Sequence, residues 1–323
     1  MHNWESASRN GGHRSATGAT RPLSWSRTVP RELVHRLSVA EVLLTDVRPC
    51  GAGRFTAAAQ WPLSHPTFPR GGCGVHNPLM IVETLRQLGI YLPLRYCATP
   101  SRSHFLITDV RYELDPEAEP LVRYGATEVT CLVAMSDLRR SAASGALSGM
   151  RLSARFLARG RPFARAEGGA RILGAEQYAA LRGAVPGPDG QSPSAAPRPT
   201  PESLGVASPQ DVMLAVRPDG VRVDPVDPRH PYFFDHDSDH VPGVTLLEAA
   251  RQAVAVQSAG RLLRPVACAL RALRFTEFSP PATVRCTVYD TTCVFRIRQG
   301  EGATAVGVLR YSRTGSRTRP GVV

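Results

Sequence analysis

The sequence predicts an α+β protein made of two copies of one unit, each an antiparallel sheet wrapped around a long central helix. A glutamate, an arginine and a glutamine recur with the same spacing, and in both sets the glutamate lies 18 residues after a histidine. The first set is His65, Glu83, Arg86 and Gln87, and the second is His230, Glu248, Arg251 and Gln252. The 165-residue offset is close to half of the 323 residues, a length that suits two domains. We therefore expect a tandem repeat packed as a pseudo-dimer.

Composition excludes several kinds of chemistry. The formal charge is +12, yet no lysine occurs, so all 39 basic residues are arginine. Schiff-base catalysis, pyridoxal phosphate and a Walker-type phosphate loop all need a lysine and are excluded. Arginine is well suited to binding phosphate or carboxylate with two parallel hydrogen bonds. Hydrophobic residues make up 42 % of the chain, enough for two cores.

The cysteines and the hydropathy predict a soluble cytoplasmic protein. Seven scattered cysteines without a CxxC pair indicate reduced thiols and not a disulfide framework or a zinc site. No stretch of 18 apolar residues suggests a transmembrane helix, and the first 30 residues lack the apolar run of a signal peptide.

The first half contains a hairpin, a long helix and further strands. Residues 1–30 are rich in Ser, Gly, Asn and Arg and predict a disordered tail, so the first domain spans 31–185. A turn at Pro49–Gly53 separates two extended runs, and a helix over Pro78–Tyr91 carries the first triplet. Segments rich in Val, Leu, Phe and Thr with interleaved charges predict antiparallel strands at His104–Leu114, Leu121–Met135, Met150–Ala158 and Arg161–Leu173.

The second half repeats that order. Residues 186–210, dense in Pro, Ser, Gly and Ala, predict a linker, and 211–323 form the second domain. A hairpin at 211–225 precedes the helix Val244–Leu262, which starts after a Pro-Gly pair. The remaining strands are predicted at Val266–Glu277, Thr283–Tyr289, Thr292–Arg298 and Ala303–Tyr311.

Each triplet lies on one face of an otherwise apolar helix, because its members are spaced i, i+3 and i+4. Ionisable groups on a buried helix are costly unless they are paired or used in function. An intrahelical Glu–Arg ion pair at the edge of a core is one explanation of the triplet. A catalytic site is the other, and its recurrence in both halves favours that explanation.

The order of elements and several motifs resemble known families. The layout is that of the hotdog fold, and the segment 233–252 is similar to hydroxyacyl-thioester dehydratases, although His236 stands closer to Glu248 than their catalytic pair does. The A-factor biosynthesis (AfsA) family of γ-butyrolactone synthases, which are double hotdogs, is a closer match. Its resembling segments are Val34-His-Arg, Glu41-Val-Leu-Leu-Thr-Asp46, Ala59-Gln-Trp-Pro62, Glu83-Thr-Leu-Arg-Gln87 and the stretch from His230 to Gln252.

This resemblance implies a β-ketoacyltransferase. In the family the β-ketoacyl group of an acyl carrier protein moves to the hydroxyl of dihydroxyacetone phosphate, and the ester cyclises to a butenolide phosphate, the precursor of a signalling lactone. The resemblance implies no cofactor and no membrane partner. A cluster of Asp235, His236, Asp239 and His240 leaves a metal site open, but the family is not known to need a metal.

Acyl transfer to a hydroxyl needs a base for the proton, donors for the thioester oxyanion and a group that holds the phosphate. Glu248 is the predicted base, because an apolar helix should raise the pKa of its carboxyl, and the amides of 243–245 are the predicted donors. Catalytic residues are expected to be Glu248, Arg251, Glu83, His236 and His240. Substrate-binding residues are expected to be Arg86, Gln87, Gln252, Gly243, His65 and His230.

Two other functions remain open at the level of sequence. A hotdog dehydratase or thioesterase would use the same fold on acyl thioesters, with no evident use for the arginine of the triplet. A non-catalytic regulator that binds a lactone or nucleic acid would explain the positive charge. No helix-turn-helix pattern is visible, and an acidic carrier protein suits a basic surface equally well.

Overall fold

The computed structural model describes residues 21–68, 74–121, 124–183, 195–235 and 238–313. Four α-helices occur in these ranges, and each is buried to a different degree. α1 and α4 are the long helices of the two halves, α2 follows the last strand of the first half, and α3 is a single turn. Their bounds are α1 Leu79–Tyr96, α2 Ala175–Arg182, α3 Pro201–Leu204 and α4 Gly243–Gln257.

Twelve strands form one continuous antiparallel sheet. Its order is β1-β2-β4-β5-β6-β3-β9-β12-β11-β10-β8-β7, so each half contributes six strands in the same sequence from the centre outward. The fold class predicted from the sequence is confirmed. The strands are β1 Leu44–Gly51, β2 Arg54–Pro62, β3 His104–Leu114, β4 Ala126–Arg140, β5 Leu147–Ala158, β6 Arg161–Leu173, β7 Leu214–Arg217, β8 Gly220–Val223, β9 Pro265–Ala272, β10 Thr283–Tyr289, β11 Thr292–Gln299 and β12 Gly302–Tyr311.

The two halves join where β3 pairs with β9. This ladder is short, from Asp109 opposite Arg271 to Glu113 opposite Ala267. One continuous cluster of buried apolar side chains contains residues of both halves, with α1 and α4 packed on the same side of the sheet. The halves therefore share a core, as expected for a pseudo-dimer.

Both central helices are apolar around most of their circumference, which is why they lie inside the curved sheet. α1 continues past Tyr91, where we predicted its end, and includes Pro93, whose ring lies near the last turn. α4 ends at Gln257 and not at Leu262. The left-handed backbone of Ala259 and Gly260, at φ 51° and 76°, stops it there.

Parts of the predicted tail and linker pack against the sheet. The Val29 amide donates to the Leu44 carbonyl at 2.9 Å, and Val29 is buried. Residue Leu204 of α3 is fully buried against α4. Residues 1–20 and 184–194 lie outside the described ranges. Hence the described ends of both segments, 21–30 and 195–210, belong to the packed structure, because each contributes an apolar side chain to a core.

The strand predicted at Val266–Glu277 is β9 of the structure, and it ends early, at Ala272. Beyond it the chain leaves the β3 ladder: the Leu273 amide donates to the Thr304 carbonyl at 2.8 Å, and the Thr276 carbonyl accepts from the Val241 amide at 2.8 Å. The first part of β3, before Asp109, therefore has no strand beside it on the β9 side. This gap in the middle of the sheet leaves room for a cavity between the early part of β3 and residues 272–276.

Candidate functional site

In the first half, the carboxylate of Glu83 is fully buried and held by two guanidinium groups. Arg86 donates from Nε to Oε2 at 2.9 Å and from Nη2 to Oε1 at 3.1 Å, and Arg36 donates from Nε to Oε1 at 3.1 Å. Burial raises the pKa of Glu83, but the charges of Arg36 and Arg86 outweigh that effect and hold the pKa at about 2. Glu83 is therefore ionised and fully engaged.

Arg36 also links the halves. It donates from Nη1 to the Tyr232 carbonyl at 2.8 Å and lies 3.5 Å from the Asp235 carboxylate, both in the loop before α4. Its guanidinium stands over the Tyr232 ring, 5.0 Å from the centroid. The first-half cluster thus holds a second-half loop in place.

In the second half, Glu248 is paired with one arginine only. Arg251 donates from Nε to Oε2 at 2.8 Å and from Nη2 to Oε1. The remaining nitrogen, Nη1, donates to the carbonyls of Leu204 at 2.8 Å and Leu263 at 2.9 Å. Every nitrogen of this guanidinium is occupied.

The two glutamines of the triplets perform the same structural task. Gln87 accepts from the Leu43 amide at 2.9 Å and donates to its own Glu83 at 2.7 Å. Gln252 accepts from the Met213 amide at 2.8 Å and donates to Glu248 at 2.8 Å. Each fixes the start of the first strand of its half to the central helix.

The two repeated histidines are buried and make matching hydrogen bonds to carboxylates. His65 contacts the Glu41 carboxylate at 3.0 Å, and His230 contacts the Asp211 carboxylate at 2.9 Å, in both cases through Nε2. Each Nδ1 accepts a backbone amide, that of Thr67 at 3.2 Å or that of Tyr232 at 3.1 Å. Both ring nitrogens are therefore used to close a loop.

These contacts show how the predicted residues are placed. The i, i+3, i+4 spacing that places the triplet on one face also lets its members satisfy one another inside the core. Both carboxylate oxygens of Glu248 are hydrogen-bonded and Glu248 does not line the cavity described below, so its role as the base stays a prediction. Six other predicted residues likewise bind each other or the backbone and do not line the cavity described below: Arg251, Glu83, Gln87, Gln252, His65 and His230. Arg36, which was not predicted, belongs to the same set of contacts.

A cavity of about 1120 Å³, here called the central cavity, lies in the gap of the sheet. The early part of β3 forms one wall and residues 272–276 the other. The first turn of α4 and one face of α1 form its floor. Its apolar lining includes Val82, Leu85, Ile90, Met150, Leu152 and Leu246.

One side of the central cavity carries a network of hydrogen bonds centred on Asp239. Its Oδ1 accepts from Nδ1 of His240 at 2.7 Å and from the Tyr178 hydroxyl at 2.6 Å. Arg182 donates from Nε to Oδ2 at 2.8 Å and also binds Glu277. Although burial opposes it, these donors hold the pKa of Asp239 well below its usual range.

His240 is consequently an oriented, neutral imidazole. Burial lowers its pKa, and the hydrogen bond to Asp239 acts in the opposite direction. Because Nδ1 is directed at the carboxylate, Nε2 is the nitrogen that remains for a substrate. His104 stacks on the Tyr178 ring beside it, with centroids 3.8 Å apart and planes at 4°.

The N-terminus of α4 also opens on the central cavity. Gly243 is its first residue, and the helix has no side-chain cap. Its first amides are unsatisfied within the helix and can bind an anion. At α1 the corresponding amide of Leu79 is taken by the Asn77 side chain at 2.9 Å.

Arg86 is the only member of either triplet that lines the central cavity within the described ranges. Its Nε and Nη2 are used by Glu83, whereas Nη1 has no hydrogen bond to any described residue. Arg251 is buried, does not line the central cavity and uses Nη1 to bind two backbone carbonyls. Of the predicted residues, the central cavity brings together Arg86, His240 and Gly243.

His236 lies outside the described residues, so its predicted role is left as it was. In the ranges the structure does describe, no group of three or more His, Cys, Asp or Glu side chains could hold a metal ion. No helix among the same residues has the length and hydropathy to cross a bilayer.

Sequence reasoning missed four residues of the site: His35, His104, Tyr178 and Asp239 as the partner of His240. Tyr178 belongs to α2, which we did not predict. The sequence signal for α2 is Gly174 before a run of good helix formers. In the structure the Gly174 amide donates to the Gln177 side chain at 3.1 Å. His35 belongs to the segment Val34-His-Arg noted above, which carries no pattern that indicates a site.

Comparisons with known proteins agree with these features. The model of the A-factor biosynthesis hotdog domain matches residues 18–174 and 201–319. A 2-oxo-3-(phosphooxy)propyl 3-oxoalkanoate synthase of Streptomyces virginiae is 34 % identical over 261 residues, which cover 80 % of this chain and 86 % of the relative. A synthase of the same name from Streptomyces griseus is 32 % identical over 271 residues, 80 % of this chain and 84 % of the relative.

Among solved structures, an acyl-ACP thioesterase from Bacteroides thetaiotaomicron is similar with a TM-score of 0.47 at 10 % identity, over 80 % of this chain and 98 % of that one. The 12:0-ACP thioesterase from Umbellularia californica gives 0.44 at 9 % identity, over 81 % and 98 %.

Proposed function

The chain belongs to the A-factor biosynthesis hotdog family, and from this premise we propose that it transfers a β-ketoacyl group from an acyl carrier protein thioester to the hydroxyl of dihydroxyacetone phosphate. The name of its relatives describes the product of that reaction. A 2-oxo-3-(phosphooxy)propyl group is dihydroxyacetone phosphate bound through its hydroxyl oxygen, and a 3-oxoalkanoate is a β-keto acid. The protein is thus an acyltransferase that makes the ester precursor of a γ-butyrolactone.

The reaction forms one C–O bond and breaks one C–S bond. The hydroxyl oxygen attacks the thioester carbonyl, its proton leaves to a base, and collapse of the tetrahedral intermediate expels the thiolate. The thiolate then takes up the proton. No oxidant, reductant or cofactor enters the balance.

His240 is the proposed base. A neutral imidazole with one nitrogen directed at a carboxylate accepts a proton on the other and is stabilised as an imidazolium by that carboxylate. Asp239 performs this orienting role, and Tyr178 and Arg182 keep Asp239 ionised and fixed. The later protonation of the thiolate returns His240 to its starting state.

The amides at the start of α4 are the proposed oxyanion donors. Gly243 lets the thioester approach the backbone, since a Cβ there would project toward the Ile107 side chain, 3.7 Å away. Unsatisfied helix N-terminal amides stabilise negative charge that develops on a carbonyl oxygen. They lie three residues from His240, so base and donors are held by one short segment.

Arg86 is the proposed anchor of the phosphate. It supplies a positive charge and an Nη1 without a hydrogen bond to any described residue, on the α1 side of the cavity, where Val82 and Leu85 form an apolar wall. Such a wall favours the acyl chain and limits water, which would compete with the acceptor hydroxyl for the thioester. A cavity of this size that holds a base, backbone donors and a guanidinium together is the observation that carries the proposal.

The experiment incubates the protein with a β-ketoacyl carrier-protein thioester and dihydroxyacetone phosphate and follows phosphorylated ester by mass spectrometry. Asp239→Asn should reduce the rate about 10²–10⁴-fold through loss of the oriented base. Asp290→Asn, which alters an exposed carboxylate paired with Arg313, is the matched control and should retain full activity. Thioester hydrolysis without ester formation would instead favour the thioesterase reading.

A further inference from the structure

His35 has a backbone conformation that its side chain makes costly. It follows a short 3-10 turn, Arg31–Val34, and adopts left-handed φ 49°. The second half repeats this turn as α3, where the corresponding position is Gly205 at φ 64°. The carbonyl before each of these residues, that of Val34 or Leu204, accepts from the arginine of its triplet, which fixes the correspondence. Glycine adopts this conformation without strain, whereas histidine does not.

The ring of His35 enters the central cavity. It meets the edge of Phe105 with centroids 5.4 Å apart and planes at 78°. One ring nitrogen is hydrogen-bonded to the backbone of Ser101, and this bond raises the pKa of His35 against the larger effect of burial. The other, Nε2, is buried and has no partner among the described residues. A buried polar atom left unsatisfied is costly and indicates a missing partner.

Arg86 of α1 acts electrostatically on His35 and lines the same cavity. Burial lowers the pKa of His35, and the charge of Arg86 lowers it further. His104 on β3 acts in the same direction, and Arg102 lines the same part of the cavity. Both Arg86 and His104 act on His35 as positive charges, although Arg86 is paired with Glu83, and Asp109 and Asp239 line other parts of the cavity. An anion placed between His35 and Arg86 would meet Nε2 of His35 and Nη1 of Arg86, neither of which has a hydrogen bond to a described residue.

The distance to the reacting centre suits a three-carbon acceptor. His35 packs on Phe105, and Gly243 faces Ile107, two residues further along β3. Two residues of a strand span about 6.6 Å. An extended chain of three carbons between a hydroxyl and a phosphate covers a comparable length, so its hydroxyl would reach the start of α4 while its phosphate stays beside His35.

We propose that His35 and Arg86 together bind the phosphate of the acceptor, a reading that rests on the proposed acyl transfer. His35 takes a proton from solvent on Nε2 as the anion binds and then donates it to a phosphate oxygen in a charge-assisted hydrogen bond. Arg86 donates from Nη1 to a second oxygen. His35 is therefore the residue that selects phosphorylated acceptors over free alcohols.

The key variant is His35→Gly, because it introduces the residue that the second half uses and should fold at least as well as the wild type. The KM for dihydroxyacetone phosphate should rise about 10- to 100-fold, as expected for loss of a hydrogen bond to a charged group. The kcat/KM for unphosphorylated dihydroxyacetone should fall far less than that for dihydroxyacetone phosphate, because the free alcohol has no anion for His35 to bind. Arg102→Gln, which removes a more exposed positive charge at the same cavity, serves as the control for long-range electrostatics and should have a smaller effect.

Titration calorimetry tests the binding step without turnover. Dihydroxyacetone phosphate should bind the wild type with proton uptake, detected by comparing buffers of different ionisation enthalpy, and His35→Gly should bind more weakly without that uptake. An equal loss of kcat with both acceptors would make His35 a catalytic base and overturn the proposal. Unchanged KM and unchanged proton uptake in His35→Gly would also overturn it. If the wild type formed no ester but calorimetry behaved as expected, the acyl transfer would fail while the phosphate site stood.

Discussion

The two Glu–Arg–Gln triplets have the same sequence spacing but different surroundings. In the first half Glu83 is shared between Arg36 and Arg86. Arg86 lines the central cavity, and its Nη1 has no hydrogen bond to any described residue. In the second half the residue after the left-handed position is Val206, which packs with an apolar cluster and supplies no second guanidinium. There Arg251 alone binds Glu248, and its last nitrogen takes two carbonyls.

The N-termini of α1 and α4 also differ, and here it is the second half that has the unoccupied groups. At α4 the first amides are uncapped beside the cavity, while at α1 Asn77 occupies the Leu79 amide. In the proposed site each half supplies one part: the first half supplies Arg86, and the second half supplies the N-terminus of α4 with Asp239 and His240 before it. A duplicated ancestor with two equivalent clefts would explain why a single composite cleft now draws on both halves.

The largest expected effect is catalytic and tests whether the cleft is used as described. His240→Gln should reduce acyl transfer about 10²–10⁴-fold with little change in thermal stability, because His240 lies at a cavity surface and not within the core. His230→Gln is the matched comparison, since His230 closes a loop through Asp211. It should lower the unfolding temperature without a specific loss of turnover in the folded fraction. The reverse pattern would assign the chemistry to the repeated histidines.

The next effect is on stability and compares the two carboxylates directly. Glu83→Gln leaves both Arg36 and Arg86 without a carboxylate and should destabilise the protein by about 3–5 kcal/mol. Glu248→Gln should cost less, about 2 kcal/mol, because Arg251 keeps the carbonyls of Leu204 and Leu263. Urea denaturation of both variants gives the comparison. Equal losses would mean that Arg36 adds nothing to the first cluster.

A third effect follows from the titration of Glu83. Its pKa is lowered from 4.5 to about 2, so the folded state is favoured above pH 4.5 and that contribution is lost as the pH falls toward 2. The loss should be on the order of 3 kcal/mol. Unfolding free energies measured across this range should fall more steeply in the wild type than in Glu83→Gln. Parallel curves would show that Glu83 is not held ionised by its two arginines.

The repeat and the fold could be predicted from the sequence, because spacing and apolar periodicity are local properties of each half. The catalytic role of Glu248 was a weaker inference. Whether a buried carboxylate is free depends on partners far along the chain, such as Arg36, 47 residues before Glu83, or the Leu204 carbonyl. Periodicity carries no information on such contacts.

His35 illustrates the same limit from the other side. A single histidine in Val34-His-Arg has no repeated partner, because its counterpart in the second half is a glycine. The two positions are related by structure alone: both have left-handed backbone, and the carbonyl before each accepts from the arginine of its triplet. Tyr178 was missed for a different reason, since α2 is a short helix without buried residues and so has no apolar periodicity to detect.

The smallest effect uses the two left-handed positions as a pair. Gly205→Ala should destabilise the protein by about 1–2 kcal/mol, since an L-residue is strained there and the new Cβ would lie 3.4 Å from a Leu263 methyl group. His35→Ala keeps the strain already present in the first half, so the backbone contribution to stability should be unchanged, while His35→Gly should gain about 1 kcal/mol. Thermal unfolding of the three variants measures these differences. A histidine retained at a position where glycine would be more stable is expected of a residue whose ring is used in function. If His35→Gly instead lost stability, the ring would contribute more to packing on Phe105 than its backbone costs, and the histidine would need no functional explanation.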